Sequence, residues 1–95
     1  MGEPDLRAAL EELASLLRSV GADPWAEWAS RSADHVAAGG DPTAIRRAFG
    51  GMGSLNDLVI HPINGHRVAS SQVAEANERL SLLRQRIFAA ATRAE

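Results

Sequence analysis

The sequence predicts a mainly α protein: a small four-helix domain with a glycine-rich loop and a short β-hairpin before the long C-terminal helix. Three observations predict this fold class. Acid–proline pairs are typical of helix starts, because proline lacks the N–H that would be unpaired there and the acidic side chain can cap the first turn. A glycine follows each pair and accepts the left-handed conformation that ends a helix. An apolar stripe near the C-terminus indicates one further amphipathic helix.

These signals set the helix bounds that we expect. The acid–proline pairs are Glu3-Pro4, Asp23-Pro24 and Asp41-Pro42, and the closing glycines are Gly21, Gly39 and Gly50. Together they predict helices at about 4–20, 24–38 and 42–49, and the C-terminal stripe predicts a fourth at about 71–93. A chain of 95 residues is expected to form a single domain, 1–95.

The composition excludes several kinds of chemistry. The chain has no Cys and its ten basic side chains are all Arg, which removes disulfides, thiolate nucleophiles, Schiff bases and the phosphate-loop lysine. A net charge of −2 disfavours a nucleic-acid partner. The acidic N-terminus and the lack of a long apolar run predict a cytoplasmic protein with no membrane partner. The use of Arg in place of Lys favours a bacterial origin.

Residues 50–69 break the helical pattern and carry the polar candidate residues. Asn64-Gly65 is a two-residue hairpin signal and predicts strands at about 58–62 and 66–68. The glycines before it let a backbone approach a ligand closely, and successive N–H groups there could hold an anion. The same residues also fit a purely structural turn. The candidate binding residues are Gly50, Gly51, Met52, Gly53, Ser54, Asn56, Asp57, His61 and His66.

The decapeptide Phe49–Leu58, FGGMGSLNDL, resembles the hallmark of a family of small uncharacterised bacterial domains. In that family a Phe-Gly-Gly-Met-Gly-Ser-(Leu/Phe)-Asn-Asp motif lies between N-terminal helices and a C-terminal helix. The likeness covers the layout of about residues 6–90, but only the decapeptide is specific. The family is a domain of unknown function, so the resemblance implies no activity, cofactor or substrate.

A metal site in the loop is an alternative interpretation. Asp57, His61 and His66 offer one carboxylate and two imidazoles, a set that suits Zn²⁺ or Fe²⁺, and a hairpin would bring the two histidines side by side. The leading expectation is no cofactor and no catalytic residue, because Ser54 lacks the glycine spacing of a nucleophile elbow.

The apolar stripe of the fourth helix has two interpretations. Its members follow steps of three and four residues: Val73, Ala76, Leu80, Leu83, Ile87, Ala90 and Ala94. The structural interpretation is that the stripe packs on the chain's own helices. The functional one is a dimer seam, with Leu80, Leu83 and Ile87 as interface candidates, or a binding face lined by the arginines of this helix, Arg79, Arg84, Arg86 and Arg93. A helix of 23 residues is about 34 Å long, so we expect part of it to overhang a small domain and to need a partner.

The absence of Cys and Lys chemistry and the apolar stripe of the fourth helix together favour a non-enzymatic protein-binding module of bacterial origin. Its partner is expected to be another protein or a second copy of the chain, with an immunity- or antidote-like role as one concrete form. The alternative is a small metal- or anion-binding protein, or an enzyme, that uses the 50–66 loop.

Overall fold

The structure, a computed structural model, describes residues 2–50 and 54–94. In this part of the chain it contains four α-helices, which are α1 Gly2–Ser19, α2 Asp23–Ala37, α3 Thr43–Arg47 and α4 Val73–Ala94. Three short 3₁₀ turns join α3 to α4, at Leu55–Asp57, Pro62–Asn64 and Ser70–Gln72. The predicted mainly α fold class is therefore confirmed. None of these helices is both long and apolar enough to cross a membrane.

Helix α1 is the centre of the fold, since it packs against both α2 and α4. Its leucines recur every three or four residues and face inward, so that four of them are fully buried: Leu6, Leu10, Leu13 and Leu17. Helix α4 runs antiparallel to α1. Two ion pairs mark this direction, one between Arg86 and Glu12 at 3.1 Å and one between Arg93 and Asp5 at 3.6 Å.

The apolar stripe of α4 packs within its own chain. Its central side chains are at most 4% exposed, and they are Leu80, Leu83, Ile87 and Ala90. Ala91, near the C-terminal end of α4, is also buried, and Arg93 reaches the first turns of α1. The expected overhang at this end is not observed, because α1 runs alongside α4 and covers its stripe.

Some of the predicted helix starts and ends are formed by the expected residues, and others are not. Gly21 and Gly39 adopt positive φ angles of 77° and 83° and end α1 and α2 as predicted. Gly50 does not adopt a positive φ, and α3 already ends at Arg47. The acidic residues also differ, because Asp23 is itself the first residue of α2 and no side chain caps that helix.

Asp41 is the predicted cap that forms. Its Oδ1 accepts hydrogen bonds from the Thr43 backbone N–H at 2.9 Å and from the Thr43 hydroxyl at 2.7 Å. This arrangement orders the start of the five-residue helix α3, which is too short to be stable by itself.

The predicted β-hairpin is wrong. The described residues contain no strand, and a 3₁₀ turn at Pro62–Asn64 replaces the tip of the hairpin. Gly65 does adopt the left-handed conformation that the Asn-Gly signal requires, with φ 82°. The turn thus forms without the paired strands on either side of it.

The backbone groups of the two expected strands bond elsewhere, which explains the missing ladder. Asn77 on α4 binds both backbone groups of Ile60: its Oδ1 accepts from the Ile60 N–H at 2.8 Å, and its Nδ2 donates to the Ile60 carbonyl at 2.7 Å. The N–H of Arg67 donates to the carbonyl of Val20 at 2.8 Å. The first expected strand is therefore bonded to α4 and the second to the turn that follows α1, and no backbone ladder joins them.

Asp41 should make the stability of the protein depend on pH. The side-chain hydrogen bond from Thr43, followed by the backbone one, holds the pKa of the Asp41 carboxyl below its usual range. Because the folded-state pKa is depressed, the stabilisation is present above the unfolded-state value of about 3.9 and is lost as the pH falls through the folded-state value. We expect Asp41→Asn to lower the melting temperature at neutral pH and the difference from wild type to shrink below about pH 4.

Thermal unfolding followed by circular dichroism at several pH values measures this effect. Asp34→Asn is the matched control, because Asp34 is an exposed carboxylate on α2 with no side-chain hydrogen bond among the described residues. A pH-independent difference for Asp41→Asn would contradict the assignment.

Asn77→Ala should destabilise the fold by about 1–3 kcal/mol, because it leaves the N–H and the carbonyl of Ile60 without their partner. Urea denaturation measures the free energy of unfolding. Asn64→Ala is the control: Asn64 is exposed and donates one hydrogen bond, to the carbonyl of Val59, so the loss should stay below about 1 kcal/mol. Equal losses for the two variants would show that Asn77 has no special role.

Candidate functional site

A cleft of about 510 Å³ lies between α4 and the segment that follows α3. It is open to solvent on one side, and most of its lining is apolar. Three pieces of the chain form it: the end of α3 with the residues after it, the first 3₁₀ turn, and the middle of α4. The lining residues are Arg46, Phe49, Gly50, Asn56, Arg84, Gln85, Phe88 and Ala89.

Two phenylalanines supply the apolar surface of the cleft. The ring centroids of Phe49 and Phe88 are 5.4 Å apart and their planes meet at 62°, an edge-to-face contact. Phe49 packs against the core, whereas Phe88 remains 46% exposed. The contact leaves part of the Phe88 ring available to another molecule.

Hydrogen bonds join the two ends of the loop that borders the cleft. The Asn56 Nδ2 donates to the carbonyl of Phe49 at 2.8 Å, and the N–H of Leu55 donates to the carbonyl of Ala48 at 2.8 Å. Leu55 itself is fully buried and anchors this closure in the core. These bonds hold the residues on either side of positions 51–53 close together.

Arg84 on α4 fixes the 3₁₀ turn beside the cleft. Its Nη1 donates to the carbonyl oxygens of Leu55, Asn56 and Leu58, at distances of 3.0, 3.1 and 3.1 Å. The Leu55 carbonyl also accepts from the Leu58 N–H at 3.3 Å, and the guanidinium adds a donor for this carbonyl and for those of Asn56 and Leu58. Burial lowers the pKa of Arg84 from its ordinary value, but a guanidinium stays charged in proteins.

The cleft contains some of the predicted binding residues. Gly50 and Asn56 line it. Ser54 lies just outside and is buried, at 8% exposure, while Asp57 is exposed. The predicted residues Gly51, Met52 and Gly53 lie outside the described part of the chain.

His61 and His66 lie together but away from the cleft lining. The N–H of His61 donates to Nδ1 of His66 at 3.1 Å, and the N–H of Ile63 donates to Nδ1 of His61 at 3.1 Å. Both Nδ1 atoms therefore act as acceptors that shape the loop. Within the described residues, no group of three His, Asp or Glu side chains could hold a metal ion, so Asp57 does not complete a metal site with this pair.

The predicted interface residues of α4 are placed in the core. Leu80, Leu83 and Ile87 are 0%, 4% and 0% exposed. The large apolar side chains that α4 does expose are Leu82, at 59%, and Phe88. Any surface that α4 offers to a partner therefore lies on its other side.

Three residues at or near the site were missed by the sequence reasoning. Phe88 had a readable signal, since it is an aromatic residue outside the apolar stripe of an amphipathic helix. Arg84 and Asn77 had none, because their partners lie 17 to 29 residues away in the sequence.

A search of curated proteins and a search of solved structures each found no match. The sequence model of one family, described as a domain of unknown function, matches residues 18–69. This range is more than half of the 95-residue chain. It includes the decapeptide Phe49–Leu58, whose status as a hallmark of the family stays a prediction. The match agrees with the expected resemblance to an uncharacterised family, and the chain belongs to the DUF6966 domain family.

Proposed function

We propose that this protein is a non-enzymatic protein-binding module whose cleft accepts an apolar side chain of a partner protein. The observation that carries the proposal is Phe88, which lines the cleft, contacts Phe49 edge to face and keeps 46% of its surface exposed. Aromatic side chains, Phe among them, are enriched at protein–protein interfaces relative to the rest of the protein surface.

The open shape of the cleft supports a protein partner over a small molecule. Sites for small molecules typically enclose roughly 70–90% of the ligand surface. A small ligand in this cleft would keep its outer face in water, since one side is open. A side chain that projects from a partner has its outer face covered by the partner itself.

The chemistry of the chain supports binding without catalysis. The sequence has neither Cys nor Lys, and Ser54 is buried. Among the described residues the rings of His61 and His66 are hydrogen-bonded to loop backbone groups and not to Ser54. Serine activation by a neighbouring histidine would need such a bond or a closely similar approach.

We further propose a bacterial, cytoplasmic protein, with an immunity- or antidote-like role as one concrete form. The small size, the net charge of −2 and the use of Arg alone as basic residue support this setting. A homodimer through α4 would use Leu82 and Phe88, because the stripe first considered for it is buried in the core.

An alternative function is the binding of a small anion in the same cleft, which Arg46 and Arg84 would favour. A metal-dependent role of the 50–66 loop is the other form of this alternative. Melting curves with zinc, iron or phosphate test both, since binding to the folded state raises the melting temperature. A marked rise with one of them would favour the alternative over the protein partner.

Peptide selection tests the proposed function. A random-peptide display library selected on the wild-type protein should yield peptides that share a large apolar residue. NMR shifts caused by these peptides should map to Gln85, Phe88 and Ala89. Phe88→Ala should weaken the binding of the selected peptides about 10- to 100-fold, the range of an interface hot spot, and titration by fluorescence anisotropy measures this.

Leu82→Ala is the matched control, because Leu82 is a more exposed apolar residue of the same helix that does not line the cleft. It should change the affinity less than about twofold. Phe88→Leu, which keeps an apolar side chain, separates loss of binding from loss of folding. Peptides that bind Phe88→Ala as well as wild type, or whose shifts map to another surface, would contradict the proposal.

A further inference from the structure

We propose that the partner segment carries an acidic side chain, Asp or Glu, beside its apolar one, and that Arg84 binds this carboxylate at the edge of the cleft. The inference rests on the proposed function and names the chemistry of the partner. It follows from the hydrogen bonds of Arg84 and from the charges that line the cleft.

The guanidinium of Arg84 is held in place by only one of its three nitrogens. Nη1 donates to the carbonyls of Leu55, Asn56 and Leu58. Nε and Nη2 have no hydrogen-bond partner among the described residues. Because the guanidinium is planar and rigid, fixing Nη1 also fixes the direction of these remaining donors. Carboxylates bind two guanidinium nitrogens side by side, so a donor edge of this kind is arranged to receive one.

No carboxylate of the described chain compensates Arg84. The ion pairs of its neighbour on α4, Arg86, and of Arg93 go to acidic residues of α1. Arg84 forms no ion pair with a residue in 2–50 or 54–94, although it is half-buried beside an apolar surface. Burying a charge without a counter-charge costs free energy, and a partner carboxylate would recover part of that cost.

The charge of the cleft opposes the charge of the whole chain. Its described lining contains two arginines, Arg46 and Arg84, and no acidic residue. The whole chain carries a net charge of −2. Arg46 interacts with the Asp41 carboxylate, so it is the positive charge of Arg84 that favours a partner with an acidic contact surface. The apolar ring of Phe88 and the charge of Arg84 lie one helical turn apart, which fits neighbouring side chains of one partner segment.

A purely structural role of Arg84 makes a different prediction from the proposed one. Holding the 3₁₀ turn requires Nη1 alone and does not depend on the charge of any ligand. The proposed role requires that a carboxylate on the ligand bind better than its neutral isostere, with the protein unchanged.

The test compares two forms of a peptide that selection has shown to bind in the cleft. The selected peptides should carry Asp or Glu next to the apolar residue. Replacing that Glu by Gln in the peptide should weaken binding to the wild-type protein about 10-fold, the effect of a charge-assisted hydrogen bond. The loss should become smaller at high salt, because salt screens an exposed charge pair.

A double-mutant cycle assigns the loss to Arg84. In Arg84→Gln the Glu and Gln peptides should bind equally, whereas in Arg86→Gln the full difference should remain. Arg86 is the matched control, since it is a cation of the same helix that pairs with Glu12 outside the cleft. If Arg84→Gln fails to fold, Arg84→Lys replaces it in the cycle: because an ammonium cannot bind a carboxylate through two nitrogens side by side, the preference for the Glu peptide should shrink, and an unchanged preference would overturn the assignment to Arg84.

The outcomes separate the inference from the proposed function. Peptides that map to the cleft without an acidic residue, or whose Gln form binds as well as the Glu form, would overturn the inference alone. A failure to find any peptide that binds in the cleft would overturn both. 3-Phenylpropionate and its neutral amide serve as small probes of the cleft. If the free acid binds as tightly as the peptide, the ligand of the cleft is a small carboxylate, and the proposal of a protein partner is overturned.

Discussion

The segment 54–72 before α4 depends on two polar side chains of that helix, because it forms no strand of its own. Its apolar residues Leu55 and Ile60 are fully buried, and burying them brings their peptide groups out of water. Asn77 binds the backbone of Ile60, and Arg84, two turns further along α4, binds the carbonyl of Leu55. Without Asn77 the peptide groups of Ile60 would lose these partners, whereas the Leu55 carbonyl would keep its bond from the Leu58 N–H. Arg84 adds three hydrogen bonds from α4 to the turn beside the cleft.

The helices could be predicted because their signals are local. Gly21 and Gly39 end helices through their own backbone conformation, and Asp41 bonds a residue two positions away. The prediction of the hairpin was wrong for the opposite reason, because strand pairing depends on distant residues. Asn64-Gly65 correctly indicates a tight turn, but whether strands pair on either side of it depends on competing partners. Asn77 is 17 residues from Ile60, and no local pattern shows that its amide replaces a neighbouring strand.

The residues of the candidate site differ in the same way: those with a local signal could be predicted, and those that bond distant partners could not. Gly50 and Asn56 stood out because glycines and polar residues interrupt a helical pattern, and both line the cleft. Phe88 was visible in principle as an aromatic side chain outside the buried stripe. Arg84 resembles any cation near the C-terminal end of a helix, where the helix dipole favours positive charge. Its bonds to three carbonyls form only because residues 55–58 pack beside α4, and the spacing of residues along α4 does not predict that contact.

The matched family range has a boundary that differs from the boundary of the folded unit. It stops at residue 69, before α4 begins at Val73. Yet α4 supplies the amide and the guanidinium that complete the backbone bonding of residues 55–60, and its stripe covers α1. A fragment cut at the end of the recognisable signature would lack both. The fold of the matched range in this chain therefore depends on a helix that lies beyond that range.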